Sequence, residues 1–318
     1  MSFKEVKGQG KAIEIIKGYM AQARLAGGYL FTGPEGVGKK LVARQLAKTL
    51  NCLKDTPDSC DSCPSCIKIE NNQHPDVHIL ETEGAEIKIE YIRQLQKDFS
   101  LKPYEGKRKV FIIDNAHTLT AEASNALLKI LEEPPKESLI ILVSDKPALL
   151  FKTIVSRCKM VKFSPFSRPE LAIILKKDYG LDNNMAHFLA YFSEGRFGRA
   201  LKLKDTDILR EKNAVIDKLA FSRGISLEGI SIQDREDVKQ YLNILATWFR
   251  DIYLIKIGAP YAEIINLDRK DDLLKQMSRF TFLDLNEILE SISNSILYLG
   301  QNINTKLLLY DLMLSHSY

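Results

Sequence analysis

The stretch YLFTGPEGVGKK, Tyr29 to Lys40, restricts the fold more than any other part of this sequence. A short apolar run enters a Gly-rich loop with G-x-x-x-x-G-K spacing, and KKLVARQLAKTLN continues at helical periodicity. Strand, loop and helix in that order make a P-loop, whose backbone amides and helix N-terminus cradle phosphate oxygens. Gly33, Gly36 and Gly38 let the backbone curl, and Lys39 is placed for the β- and γ-phosphates. The pattern breaks at Lys40. A Ser or Thr belongs there, because its hydroxyl holds Mg²⁺ against the nucleotide.

Two further runs, VFIID from Val110 and LIILV from Leu139, are continuously apolar and β-favouring. Strands of that kind are buried on both faces of a parallel sheet. Between them TAEASNALLKILEEPP reads as a helix stopped by Pro134 and Pro135. Alternating strands and helices predict a doubly wound α/β domain over residues 1–165. Asp114 closes the Val110 run, where a Walker B aspartate supports Mg²⁺, and Asn115 follows it. A hydrolytic site needs a carboxylate at that next position, and an amide cannot take a proton at neutral pH. Metal hydroxyl and general base are thus both missing from their expected places.

No apolar run approaches the length of a membrane span, and SFKEVKGQGK after Met1 lacks the apolar stretch of a signal peptide. A cytoplasmic chain without membrane contact is expected, in a compartment where thiols stay reduced. The net charge of +4 permits a nucleic-acid-facing surface without arguing for one. Four of the five cysteines, Cys52, Cys60, Cys63 and Cys66, cluster in CLKDTPDSCDSCPSC. Overlapping C-x-x-C steps and one more thiolate can complete a closed, structural S₄ zinc site. A redox C-x-x-C and plain reduced thiols are the competing readings. Cys158, the odd cysteine, reads as a small apolar filler.

The N-terminal segment is expected to carry a helix with Ile13, Ile15, Ile16 and Met20 on one stripe, ending at Gly27-Gly28. From Arg168 onward only helical patterns occur. In VKQYLNILATWFRDIYLIKIG, Leu242, Leu245, Phe249, Ile252 and Tyr253 fall at three- and four-residue steps and Gly258 closes the helix. At 318 residues the chain has room for two or three domains. The expected division is a P-loop domain at 1–165 with a zinc module at 52–66, a helical lid at 166–207 and a helical C-terminal domain at 208–318.

The P-loop with the four-cysteine insert behind its helix, NALLKILEEPP after the Walker B run, and TIVSRC after the next strand resemble, in this order, the bacterial clamp-loader branch of the AAA+ ATPases. FKEVKGQGKAIEIIK, with Val6 and Gln9, and LGQNINTKLLLYDLML, Leu299 to Leu314, resemble that family's first segment and last helices. The resemblance implies an AAA+ domain, a lid and an oligomerising collar. It separates gamma/tau motor subunits from subunits without catalysis. Where motors read G-S-x-R-x-A-L, this chain has Gly195-Arg196-Phe197-Gly198-Arg199-Ala200-Leu201, with Gly198 at the sensor arginine and Arg196 or Arg199 as possible substitutes. Ser144-Asp145 likewise departs from the motor's Thr-rich pattern.

Ser156-Arg157-Cys158 is intact, and the resemblance implies that Arg157, with Ser156, is a finger reaching the nucleotide of a neighbouring subunit. It further implies gamma/tau and delta subunits as partners, with the sliding clamp and primed DNA met through the complex. No intrinsic ATPase is expected. Gly33, Gly36, Gly38, Lys39, Lys40, Asp114 and Asn115 form a degenerate site where ATP or ADP binds weakly or not at all; Lys39 and Asp114 persist as structural groups, paired or as a weak nucleotide site. The alternatives are an active gamma/tau-type ATPase, opposed by Lys40 and Asn115, and a zinc-dependent nucleic-acid module. The acidic residues of DTPDSCDSC oppose the latter.

Overall fold

Period two in the strands sets the architecture. In the computed structural model, alternate residues of β1 (Gly27–Thr32), β3 (Lys109–Ile113) and β4 (Ser138–Ser144) enter different cores. Tyr29, Phe31, Val110, Ile112, Leu139 and Ile141 face one side; Leu30, Phe111, Ile113, Ile140 and Leu142 face the other. Residues i and i+2 share a face, so a strand without polar alternation is buried twice. The structure describes residues 2–21, 27–54, 56–81, 86–99, 101–135, 137–221, 235–301 and 303–315. Residues 22–26 behind the N-terminal helix, residue 55 of the cysteine module, and residues 222–234, 302 and 316–318 of the C-terminal region lie outside them.

The chain divides into two units. The first comprises residues 1–166 together with Arg196–Arg199. Its sheet is parallel throughout, in the order β2-β3-β4-β1-β5, with β2 at Val77–Leu80 and β5 at Cys158–Lys162. Helices α1 (Gly10–Ala21) and α2 (Lys39–Asn51) cover the first face through Ile13, Ile16, Val42 and Leu46. The short α3 (Pro64–Glu70) adds Ile69 there. Helices α4 (Ile89–Phe99), α5 (Ala121–Glu132) and α6 (Lys152–Arg157) cover the second through Ile92, Leu127 and Ile154. In a sheet of this kind the ligand crevice lies outside the carboxyl ends of the strands. Here the P-loop follows β1 and Asp114 follows β3, an AAA+ arrangement.

Two expectations need correction. Ile15 does not join the α1 stripe: Ile13 and Ile16 are buried whereas Ile15 is 45% exposed, because a three-residue step keeps a helical face and a one- or two-residue step leaves it. Gly27 and Gly28 open β1 instead of ending the helix. Both edge strands escaped the sequence reading. In β5 only Val161 is buried; Lys162 is exposed, as suits an edge that must not pair further, while half-buried Lys159 lies over the Tyr19 and Tyr29 rings.

The second unit, Ser167–Gly195 with residues 200–318, is helical in all its described elements. Its helices are α7 (Arg168–Tyr179), α8 (Asn183–Phe192), the remainder of α9 (Phe197–Lys204), α10 (Ile208–Phe221), α11 (Arg235–Lys256), α12 (Lys270–Met277), α13 (Phe282–Leu299) and α14 (Thr305–Ser315). Leu242, Leu245, Phe249 and Ile252 of α11 pack on Leu285, Ile288 and Ile292 of α13, and Tyr253 lies at the margin of that core. Trp248 is fully buried, and its indole N–H donates to Gln276 Oε1 at 2.9 Å. No described helix is long and apolar enough to cross a membrane.

Candidate functional site

Gly33, Gly36 and Gly38 have φ of 147°, 79° and 96°, so the loop takes the curled course its glycines permit. Lys39 is buried, and its ammonium donates to the loop's own carbonyls, Gly33 O at 2.6 Å and Pro34 O at 2.7 Å. Burial pushes its pKa down, while the charges of Asp145 and Asp114 act in the opposite direction. Buried Gln9 fastens the loop from below, donating to Val37 O at 3.1 Å and Ser164 O at 2.9 Å. A second backbone closes on it: the Gly198 N–H donates to Gly36 O at 2.7 Å. A Cβ at Gly198 would lie 2.9 Å from that oxygen, and one at Gly36 would lie 3.0 Å from Arg199 N. Glycine at 198 thus permits close backbone contact with the loop.

Lys40 extends toward the ends of two strands. Its ammonium lies 2.5 Å from Glu81 Oε2, just past β2, and 3.5 Å from Asp114 Oδ2, just past β3. Asp114 is therefore ion-paired to Lys40, and Lys39 bonds instead to the loop. The other Asp114 oxygen accepts the Asn115 N–H at 3.0 Å. Asn115 adopts the left-handed conformation, φ 51°, which its short side chain tolerates, and its carbonyl accepts from Thr118 N–H at 2.8 Å. Beyond β3, His117 Nδ1 lies 3.4 Å from Ser144 Oγ at the end of β4 and 3.3 Å from Asp145 Oδ1. Mg²⁺ demands a near-octahedral oxygen shell, built at P-loops from the Ser/Thr hydroxyl and the aspartate. The residues present do not fit it, since an ammonium takes the hydroxyl's place and already meets the aspartate.

The cysteines do converge. The Sγ atoms of Cys52, Cys60, Cys63 and Cys66 all lie within 4.8 Å of one another, and Cys52, Cys63 and Cys66 are buried. Zinc–thiolate bonds of about 2.3 Å in a tetrahedron set sulfurs about 3.8 Å apart, so this cluster suits such an ion. Cys60 Sγ accepts the Cys63 N–H at 3.3 Å, and Cys63 Sγ accepts the Cys66 N–H at 3.5 Å. Hydrogen bonding, from Ser62 above all, brings the Cys60 thiol down to about 6 and favours the thiolate. Burial pushes Cys66 up to about 12. Beside the cluster, the buried Lys48 ammonium pairs with Asp61 and, at 2.7 Å, with Glu70, tying the cysteine loop to α2 and α3. These four residues could hold a metal such as zinc.

Arg157 ends α6. Its guanidinium meets Glu132 Oε1 at 2.8 Å and donates to Thr153 O at 3.1 Å, with 37% of the side chain exposed. Ser156 Oγ also donates to Thr153 O, at 3.1 Å. Half-buried Cys158 has its thiol pushed up to about 12 by burial, so it behaves as an inert filler. Of the residues singled out from sequence, the structure joins the P-loop with Lys40 and Asp114, and the four cysteines with one another. Arg157 meets neither group through these contacts. Glu81 and Glu132 were missed; Glu81 carried no signal, and Glu132 was visible only as part of the helix-ending LEEPP.

Sheet order, P-loop and cysteine module define an AAA+-type subunit whose loop carries Lys40 in contact with Asp114. A family model described as DNA polymerase III, delta subunit, matches residues 8–167, and one for that subunit's C-terminal part matches residues 207–317. Over 269 residues the chain is 32% identical to DNA polymerase III subunit delta-prime of Bacillus subtilis, covering 81% of each. It is also 28% identical over 306 residues to subunit tau of Bacillus subtilis, covering 87% of this chain but only 54% of tau. A DNA polymerase III gamma subunit-related protein of Thermotoga maritima superposes with a TM-score of 0.45 at 18% identity, over 96% of this chain and 98% of that one. The chain belongs to the delta-prime family of DNA polymerase III subunits.

Proposed function

We propose that this chain is a non-hydrolysing subunit of the bacterial clamp loader, helping to place the sliding clamp on primed DNA during replication. Its partners are gamma/tau and delta subunits, and it meets clamp and DNA through the assembled complex in the cytoplasm. The observation that carries the reading is the residue beside Asp114. Asn115 offers an amide where hydrolysis needs a base, and loss of a base alone costs about 10²–10⁴ in rate. Arg157, presented by Ser156 and the last turn of α6, is then the chain's contribution to catalysis elsewhere, as a finger on a neighbour's γ-phosphate.

Residues 166–207 serve as lid and 208–318 as collar, while the cysteine module at 52–66 holds structural zinc. ATP or ADP binds weakly or not at all at Gly33–Lys39. Steady-state hydrolysis by the purified chain with primed DNA tests the reading. No turnover is expected; turnover that survives repurification and falls on Lys39→Ala would mean an active motor of gamma/tau type.

A further inference from the structure

We propose that the Lys40 ammonium is a built-in replacement for the divalent cation of a P-loop site. It links the loop to the strand ends permanently, and it excludes magnesium. The inference rests on reading Gly33–Lys39 as an inherited nucleotide loop, but not on the role of Arg157.

In a working P-loop the cation ties the first turn of the helix, through the Ser/Thr hydroxyl, to the aspartate behind the Walker B strand. The tie exists only while metal and nucleotide are bound. Here the residue at the hydroxyl position carries its own positive charge to the same aspartate, 3.5 Å from Asp114 Oδ2. A second carboxylate, Glu81 at the end of β2, approaches at 2.5 Å, so the ammonium sits between two anionic strand ends. One fixed cation joins α2, β2 and β3. A divalent ion entering this space would have to displace an ammonium that already meets the aspartate it needs, and the two positive charges repel.

The neighbouring contacts point the same way. The Lys39 ammonium is satisfied by Gly33 and Pro34 carbonyls, and Gly36 O by the Gly198 N–H. The loop therefore holds its shape through this chain's own atoms. A polyphosphate that did enter would do so as the metal-free anion.

The 318-residue chain and its Lys40→Thr and Lys40→Ala variants should be titrated with Mn²⁺, followed by the EPR signal of the free ion, with and without ADP. Thermal midpoints with ADP should be read in Mg²⁺ and in EDTA. For the parent chain we expect no Mn²⁺ bound at the P-loop and a midpoint with ADP that does not depend on Mg²⁺. Lys40→Thr should melt a few degrees lower without ligand, acquire Mn²⁺–ADP binding at least tenfold tighter than the parent's, and regain its midpoint in Mg²⁺ with ADP. Lys40→Ala should melt lower with less recovery.

Mn²⁺–ADP binding by the parent chain that is lost on Asp114→Asn would overturn the proposal. So would a folded Lys40→Thr that gains no divalent dependence. If Lys40→Thr does not fold, the parent chain's Mn²⁺ titration still decides. ATP turnover by the parent chain would defeat the non-hydrolysing reading separately.

Discussion

The Arg157 guanidinium is 2.8 Å from Glu132 Oε1, an ion pair between the ends of α6 and α5. Both partners are substantially exposed, Arg157 at 37% and Glu132 at 51%, so solvent screens the attraction. Such pairs contribute about 0–1 kcal/mol to folding. The pair orients the arginine and does little to stabilise the fold. Glu132→Gln should accordingly shift the urea midpoint of the purified chain very little. A loss well beyond ~1 kcal/mol in that titration would show Arg157 and Glu132 to be a structural clasp.

Asp76, just before β2, is fully buried and accepts the backbone N–H groups of Tyr104 at 2.7 Å, Glu105 at 2.9 Å and Gly106 at 2.7 Å. Burial alone would raise its pKa, yet these three donors hold it below its ordinary 3.8. The folded-state value is depressed, so its stabilisation is present above about pH 4 and disappears as pH falls through the folded value. Asp76→Asn leaves a buried donor poorly met and should cost ~1–3 kcal/mol at pH 7. In urea titrations the gap between variant and parent should narrow below about pH 4. A gap independent of pH would rule out this role for the charge.

Gly198 and Gly36 meet backbone to backbone, with room for no Cβ at 198. Gly198→Ala should therefore cost ~1–3 kcal/mol, the usual penalty of forcing atoms into a packed contact. It should also speed hydrogen exchange at the P-loop amides. Unchanged exchange at residues 33–38 would mean that the contact does not hold the loop.

Metal analysis of protein purified without chelator should give about one zinc per chain. Cys63→Ser should lose it and unfold the 52–66 module while the parallel sheet survives, since both sheet cores are built from other residues. Metal-free protein with four reactive thiols and an intact module would refute a zinc site there.

The buried strands were readable from sequence because a strand covered on both faces leaves an unbroken apolar run, as Leu139–Val143 does. The edge strand β5 leaves no such trace, with Val161 its only buried residue. Local spacing revealed the P-loop, the cysteines and the departures at Lys40 and Asn115. What those residues touch was not readable. Glu81 lies 41 positions from Lys40, and the Gly198–Gly36 contact spans a far longer stretch of chain, so neither could be inferred before the sheet had brought the segments together.

The most direct test of an arginine lent to a neighbour is the steady-state ATPase of the loader reconstituted from gamma/tau, delta and this chain carrying Arg157→Ala. The assay needs saturating ATP, the sliding clamp and primed DNA, alongside a measurement of complex assembly. An arginine finger is worth about 10³–10⁵ at the site it serves. The rate should fall to what the remaining sites supply, with assembly and the melting temperature of the chain unchanged. An assembled complex with the parental rate would contradict it.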